Sequence, residues 1–184
     1  MKTTDWKYDF SSLPGWELRE KLWDANNDDF YDFPRSDTLC CIYSIREVRM
    51  CNPLGYLAVF KGKHDPQLLV NISDRFAFRP RVSASEDGSL LFLQPQIYYK
   101  QTNHIATPIL ILDMQKNRFA FIRTDNYNSC YQVIQQSQKV FVIDADEYQR
   151  KNDKRLHALH GKKIRTRFLR WYPLARLSNL PDLL

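Results

Sequence analysis

Glycine is scarce, with five in 184 residues. A chain uses glycine to turn tight corners and to bring its backbone close to a phosphate. So few leave little room for a glycine-cornered tight barrel, and a glycine-rich phosphate cradle is hard to place. Cysteine is scarcer still: Cys40, Cys41, Cys51 and Cys130. Two are adjacent and none has Cys-x-x-Cys spacing, which weighs against a redox pair or a zinc site. Long apolar runs are missing as well. A stretch such as 108–112 is far too short to span a bilayer, and the polar Met1–Lys7 has no apolar run behind it, unlike an export signal. The expectation is a cytoplasmic chain with no membrane partner, whose cysteines stay reduced and mostly buried as small hydrophobes. Also missing are the Gly-x-Ser-x-Gly elbow, the P-loop, H-E-x-x-H and the dinucleotide fingerprint. No catalytic constellation, cofactor or metal is therefore expected.

What the chain does hold is apolar surface. Hydrophobic residues make up 43% and aromatics 14%, with 10 Tyr, 11 Phe and 4 Trp. That is enough to drive folding, and the length suits a single domain over 1–184. Aromatic and β-branched residues favour strands.

Strand-like runs recur at an even period. Leu39-Cys40-Cys41-Ile42-Tyr43, Leu90-Leu91-Phe92-Leu93 and Val140-Phe141-Val142-Ile143 begin 51 and 50 residues apart. Turn-type or polar residues precede each: Arg35-Ser36-Asp37, Glu86-Asp87-Gly88 and Gln136-Ser137-Gln138. Asp-Gly is one of the strongest short-range turn signals. A second strand follows at a matching offset, Tyr56–Phe60 in one unit and Ile109–Leu112 in the next. A third, Leu68–Val70 or Phe119–Ile122, follows a short polar turn and reads as the other arm of a hairpin. A looser fourth strand, Phe76–Phe78 or Tyr131–Ile134, closes each unit. Three units thus start near 37, 88 and 138.

Four short antiparallel strands at this period resemble the blades of WD40-like and Kelch-like β-propellers, over about residues 35–143. A closed ring needs at least about four blades, more than the chain supplies. The expected fold is mostly β: antiparallel meander units of about four strands in an open or partial propeller-like arrangement, with one or two short helices. A β-sandwich is the alternative. An open stack leaves strand edges to be covered, and the chain ends are candidates for that. Near the amino terminus Ser11–Gly15 reads as a turn, and Trp16–Trp23 suits either a helix or a strand. Asp146–His160 suits a helix capped by Asp146 and stopped at Gly161. Ile164–Tyr172 suits a second strand for the third unit.

Three constellations carry possible chemistry. His157 and His160 would share a helix face as metal ligands can, but Lys and Arg neighbours repel a cation. The same histidines with Lys162 supply the residue types of an RNase-like site, although sequence clustering alone does not set catalytic geometry. Asp144 and Asp146 resemble a carboxylate pair at a strand end, where a turn with a helix cap is the commoner arrangement.

Charge is the strongest remaining signal. Residues 150–170 hold nine basic residues against Asp153, a local net of +8 in a chain of net +6. The rest is slightly acidic, with an acidic patch over Asp24–Asp32. Cations followed by Trp171 and Tyr172 suit nucleic acid, and they equally suit an acidic protein. The candidate partner-binding residues are Arg150, Lys151, Lys154, Arg155, Lys162, Lys163, Arg165, Arg167, Trp171 and Tyr172.

In low glycine, abundant aromatics, lack of a catalytic motif and one irregular domain, the chain resembles the small immunity proteins that neutralise toxins of bacterial contact-dependent and other polymorphic-toxin systems. The resemblance rests on overall style and transfers no residue. It implies a tight one-to-one complex with a toxin domain, whose active site it blocks. The alternative is an RNA- or DNA-binding module using the basic segment, and a nuclease-like enzyme is third.

Overall fold

The apolar runs become strands, and each turn that separates two runs makes them antiparallel neighbours. The computed structural model describes residues 8–17, 29–46, 54–62, 65–72, 76–85, 88–99, 104–123, 131–136, 139–144, 162–165 and 169–184. A first sheet has the order β1 (Asp29–Phe33), β2 (Thr38–Arg46), β3 (Leu54–Lys61), β4 (Leu68–Ile72). A second has β5 (Phe76–Ala84), β6 (Leu90–Tyr99), β8 (Ile109–Asp113) and β9 (Arg118–Ile122) side by side, with the short β7 (His104–Ala106) on β6. A third has β10 (Tyr131–Gln136), β11 (Lys139–Asp144) and β12 (Lys162–Arg165). A last strand, β13 (Tyr172–Pro173), returns to the second sheet and pairs with β9. The protein is mostly β and its strand pairs are antiparallel.

The runs that start at Leu39, Leu90 and Val140 lie in β2, β6 and β11, each second in its sheet. The hairpins β3–β4 and β8–β9 follow as expected. The looser strands differ from expectation: β5 and β10 do not close the preceding units but open the next sheets, pairing with β6 and β11. The Asp-Gly turn is the cause. Ser85 N–H donates to Leu90 O at 2.8 Å and Gly88 N–H to Ser85 O at 2.9 Å. The Ser85 hydroxyl accepts the Leu90 N–H at 2.9 Å. A turn this short joins β5 to the strand after it. The segment expected as the third unit's second strand is likewise divided, with Lys162–Arg165 pairing β11 and Tyr172 going to the second sheet. The helix expected over 146–160, Cys51, Cys130 and most of Trp16–Trp23 lie outside the described residues.

The first and second sheets pack face to face, a sandwich-like arrangement. Between them lie Cys40, Ile42, Leu57, Val59, Leu68 and Val70 from one sheet and Leu91, Leu93, Leu110, Leu112 and Phe119 from the other. Alternation sends the intervening residues to the outer faces. On the outer face of the first sheet Leu39, Cys41, Tyr43, Ala58 and Phe60 meet Tyr8, Phe10, Leu13 and Trp16 of the amino-terminal segment. The Tyr43 hydroxyl donates to Pro14 O at 3.0 Å and fastens that segment. On the outer face of the second sheet Leu90, Phe92, Ile109, Ile111 and Ile122 meet Leu169 and Trp171. Both faces are covered, so β2 and β8 read as continuous apolar runs.

Equivalent turns of these two sheets touch. The β1–β2 turn, a 3-10 turn over Pro34–Ser36, meets the β5–β6 turn at Gly88, where a Cβ would lie 2.2 Å from Ser36 Cβ. The β3–β4 turn meets the β8–β9 turn through Gln67 Nε2, which donates to Met114 O and Asn117 Oδ1, both at 2.9 Å. In an antiparallel meander these two turns fall at the same end of a sheet. The two sheets therefore stack in register.

Candidate functional site

Of the ten candidate binding residues, the structure places five. Lys162, Lys163 and Arg165 lie on β12, which occupies one edge of the third sheet. Trp171 is half-buried beside β13, and Tyr172 is buried within it. Arg150, Lys151, Lys154, Arg155 and Arg167 lie outside the described residues, as do His157, His160 and Asp146. Asp144 ends β11.

The described part of the site is an arginine–aromatic cluster where β13 meets β9. It grows from the β8–β9 hairpin, whose strands place Asp113 opposite Arg118. The Asp113 carboxylate is buried. It accepts the Lys116 N–H at 3.1 Å, which holds the turn, and Arg118 Nε–H at 3.0 Å. An opposite charge directly across a hairpin stabilises the pair. Arg118 then lies over Trp171, its guanidinium carbon 4.2 Å from the ring centroid. Trp171 in turn packs on the outer apolar face of the second sheet. An acid, a guanidinium and an indole thus form one pinned column.

One residue on, the side chain points to the opposite face. Tyr172 stacks on Phe119 and Phe121, with centroids 5.5 and 5.8 Å away and rings within 25° of parallel. Two guanidiniums sit over this ring: Arg170 at 5.2 Å and Arg176 at 5.9 Å. Sharing one centroid, their carbons are at most about 11 Å apart. Both arginines are exposed. Among the described residues neither has an anionic partner. A cation beside an aromatic face is held without neutralisation, so both charges remain available to an anion. The segment beyond is well anchored. Leu174 N–H donates to Asn117 O at 3.0 Å, and Leu174, Leu177 and Leu180 enter the core between the first two sheets.

Sequence reasoning named Trp171 and Tyr172 as candidates and counted Arg170 only in the charge of the basic run; it did not name Arg118 or Arg176. Arg118 was legible once the hairpin was recognised, because the register makes it the cross-strand partner of Asp113. Arg176 lies beyond the dense basic run and carried no signal of its own. The cluster and β12 are close in the chain: Arg170 is five positions beyond Arg165, a reach of at most about 18 Å at full extension.

Among the described residues no three of His, Cys, Asp and Glu come together as a metal site. No described helix is long and apolar enough to cross a membrane. Comparison with protein-family models, with curated proteins and with solved structures finds no match.

Proposed function

We propose that the chain is a protein-binding inhibitor that engages an acidic partner through its basic carboxy-terminal region. A toxin domain, its active site blocked by the complex, is the partner implied by the resemblance to immunity proteins. The observation that carries this reading is the pair Arg170 and Arg176, exposed, without an anionic partner among the described residues and held over a buried tyrosine. Guanidiniums fixed before binding lose less freedom on association than mobile ones. Complementary charge selects the partner and speeds encounter.

Nucleic acid is the second reading, and the charge of the segment favours it. The rings weigh against it. Base stacking needs an open aromatic face, whereas Tyr172 is buried against phenylalanines and Trp171 lies under Arg118. The repeat belongs to the same proposal. Three successive meander sheets, two of them stacked turn on turn, fit a blade-like open stack, and a binding surface would run along it.

The test is capture from native lysate, with and without nuclease, by the wild-type chain and by Arg170→Glu/Arg176→Glu. A partner that survives nuclease and is lost with the double variant supports the reading. A partner lost with the nucleic acid overturns it in favour of the second.

A further inference from the structure

The third sheet differs from the other two at one edge. In the first sheet the third strand, β3, is covered by β4, and in the second sheet β8 is covered by β9. The third strand of the third sheet is β12, and among the described residues nothing pairs with it on the side away from β11. The strand that follows in the chain does not come to cover it. That strand is β13, already committed to β9. An uncovered edge offers a row of backbone donors and acceptors to another chain.

Three of the four residues of β12, Lys162, Lys163 and Arg165, are cationic. Two outer strands of the first sheet differ. β4 lies beside the 3-10 turn Leu174–Asn179, and β1 lies beside β5. A second copy is a poor occupant of the β12 edge, because antiparallel self-pairing sets like charges opposite each other, which is destabilising. An acidic strand reverses the sign of every such pair.

We propose that the outer edge of β12 takes an extended, acidic segment of a protein partner as a fourth antiparallel strand. Backbone hydrogen bonds would supply affinity, and the Lys-Lys-Ile-Arg strand would supply the preference for acidic residues. This deepens the inhibitor reading, on which it rests. By chain length alone, the Arg165 end of β12 is at most about 18 Å from Arg170.

The test uses the full chain and short labelled peptides. One alternates Glu and Val, one alternates Lys and Val, and one is the Glu–Val peptide fully N-methylated, which keeps charge but donates no backbone hydrogen bond. The Glu–Val peptide should bind at least about tenfold more tightly than either control. On binding, amide exchange at Lys162–Arg165 should slow by at least about tenfold. Equal binding of the methylated peptide, no binding of the Glu–Val peptide, or protection elsewhere overturns the proposal. If these fail while nuclease-resistant capture persists, the edge is wrong and the inhibitor reading stands. If capture fails while strand addition holds, the reverse follows.

Discussion

Gly88 has φ +66° and no room for a side chain, since Ser36 of the neighbouring sheet lies where its Cβ would go. Gly88→Ala should therefore cost about 2–4 kcal/mol, combining a left-handed backbone penalty with overpacking. Ser36→Gly should recover part of that loss in the double variant, and urea unfolding of the four proteins measures the coupling. Two other buried residues set a response to pH. Burial pushes the Cys40 thiol above its ordinary value of 9.0. Burial, then Cys41 and Tyr56, push the Tyr43 phenol above 10.0. As pH rises past those ordinary values, the unfolded chain releases these protons while the folded chain keeps them, so stability falls. The urea midpoint should hold steady near neutrality and decline above about pH 9. Tyr43→Phe loses the hydrogen bond to Pro14, about 1 kcal/mol at neutral pH. It should fall less steeply than wild type toward about pH 11, since it has one fewer proton to retain. At this scale the sequence foretold the Asp-Gly turn and the burial of Cys40 and Cys41. That the same glycine also seats a second sheet was illegible, because Ser36 is 52 residues away.

At the scale of elements, sequence reading found β2 and β8 because both faces are covered and their apolar runs are unbroken, and it found β4 although Leu69 and Asn71 are exposed. It missed β1, whose Asp-Phe-Tyr-Asp-Phe reads as part of an acidic patch. It missed β13, which is two residues long and too short for any period. It mis-phased β5, because a run of apolar residues shows that a strand exists but not which neighbour it joins. The carboxy-terminal element carries more of the fold than its length implies. Tyr172, Leu174, Leu177 and Leu180 are buried in the core shared by the first two sheets. Leu177→Ala should cost about 2–4 kcal/mol, measured by chemical denaturation. Loss of residues 174–184 should leave the core open to a fluorescent apolar dye.

Across the whole molecule the charge is divided, with a strongly basic run set against a remainder that is slightly acidic. Such asymmetry steers association and is screened by salt. The association rate with the captured partner should fall by at least about tenfold between about 0.05 and 0.5 M salt. Arg170→Glu/Arg176→Glu should lower that rate while costing no more than about 2 kcal/mol of unfolding free energy, the loss of two exposed cation–π contacts. This much of the site was legible from composition, because charge density needs no fold to be seen. The rest was not, because Arg118 and Arg176 reach the cluster only through a hairpin and a returning chain end. The one-strand offset between repeat and sheet bears on how such a chain could lengthen. A copied stretch from Leu39 to Ser89 would carry the last three strands of one sheet and the first strand of the next. Spliced in tandem, each copy is hydrogen-bonded to its successor from birth, so duplication adds a sheet without leaving a seam at which the chain could come apart.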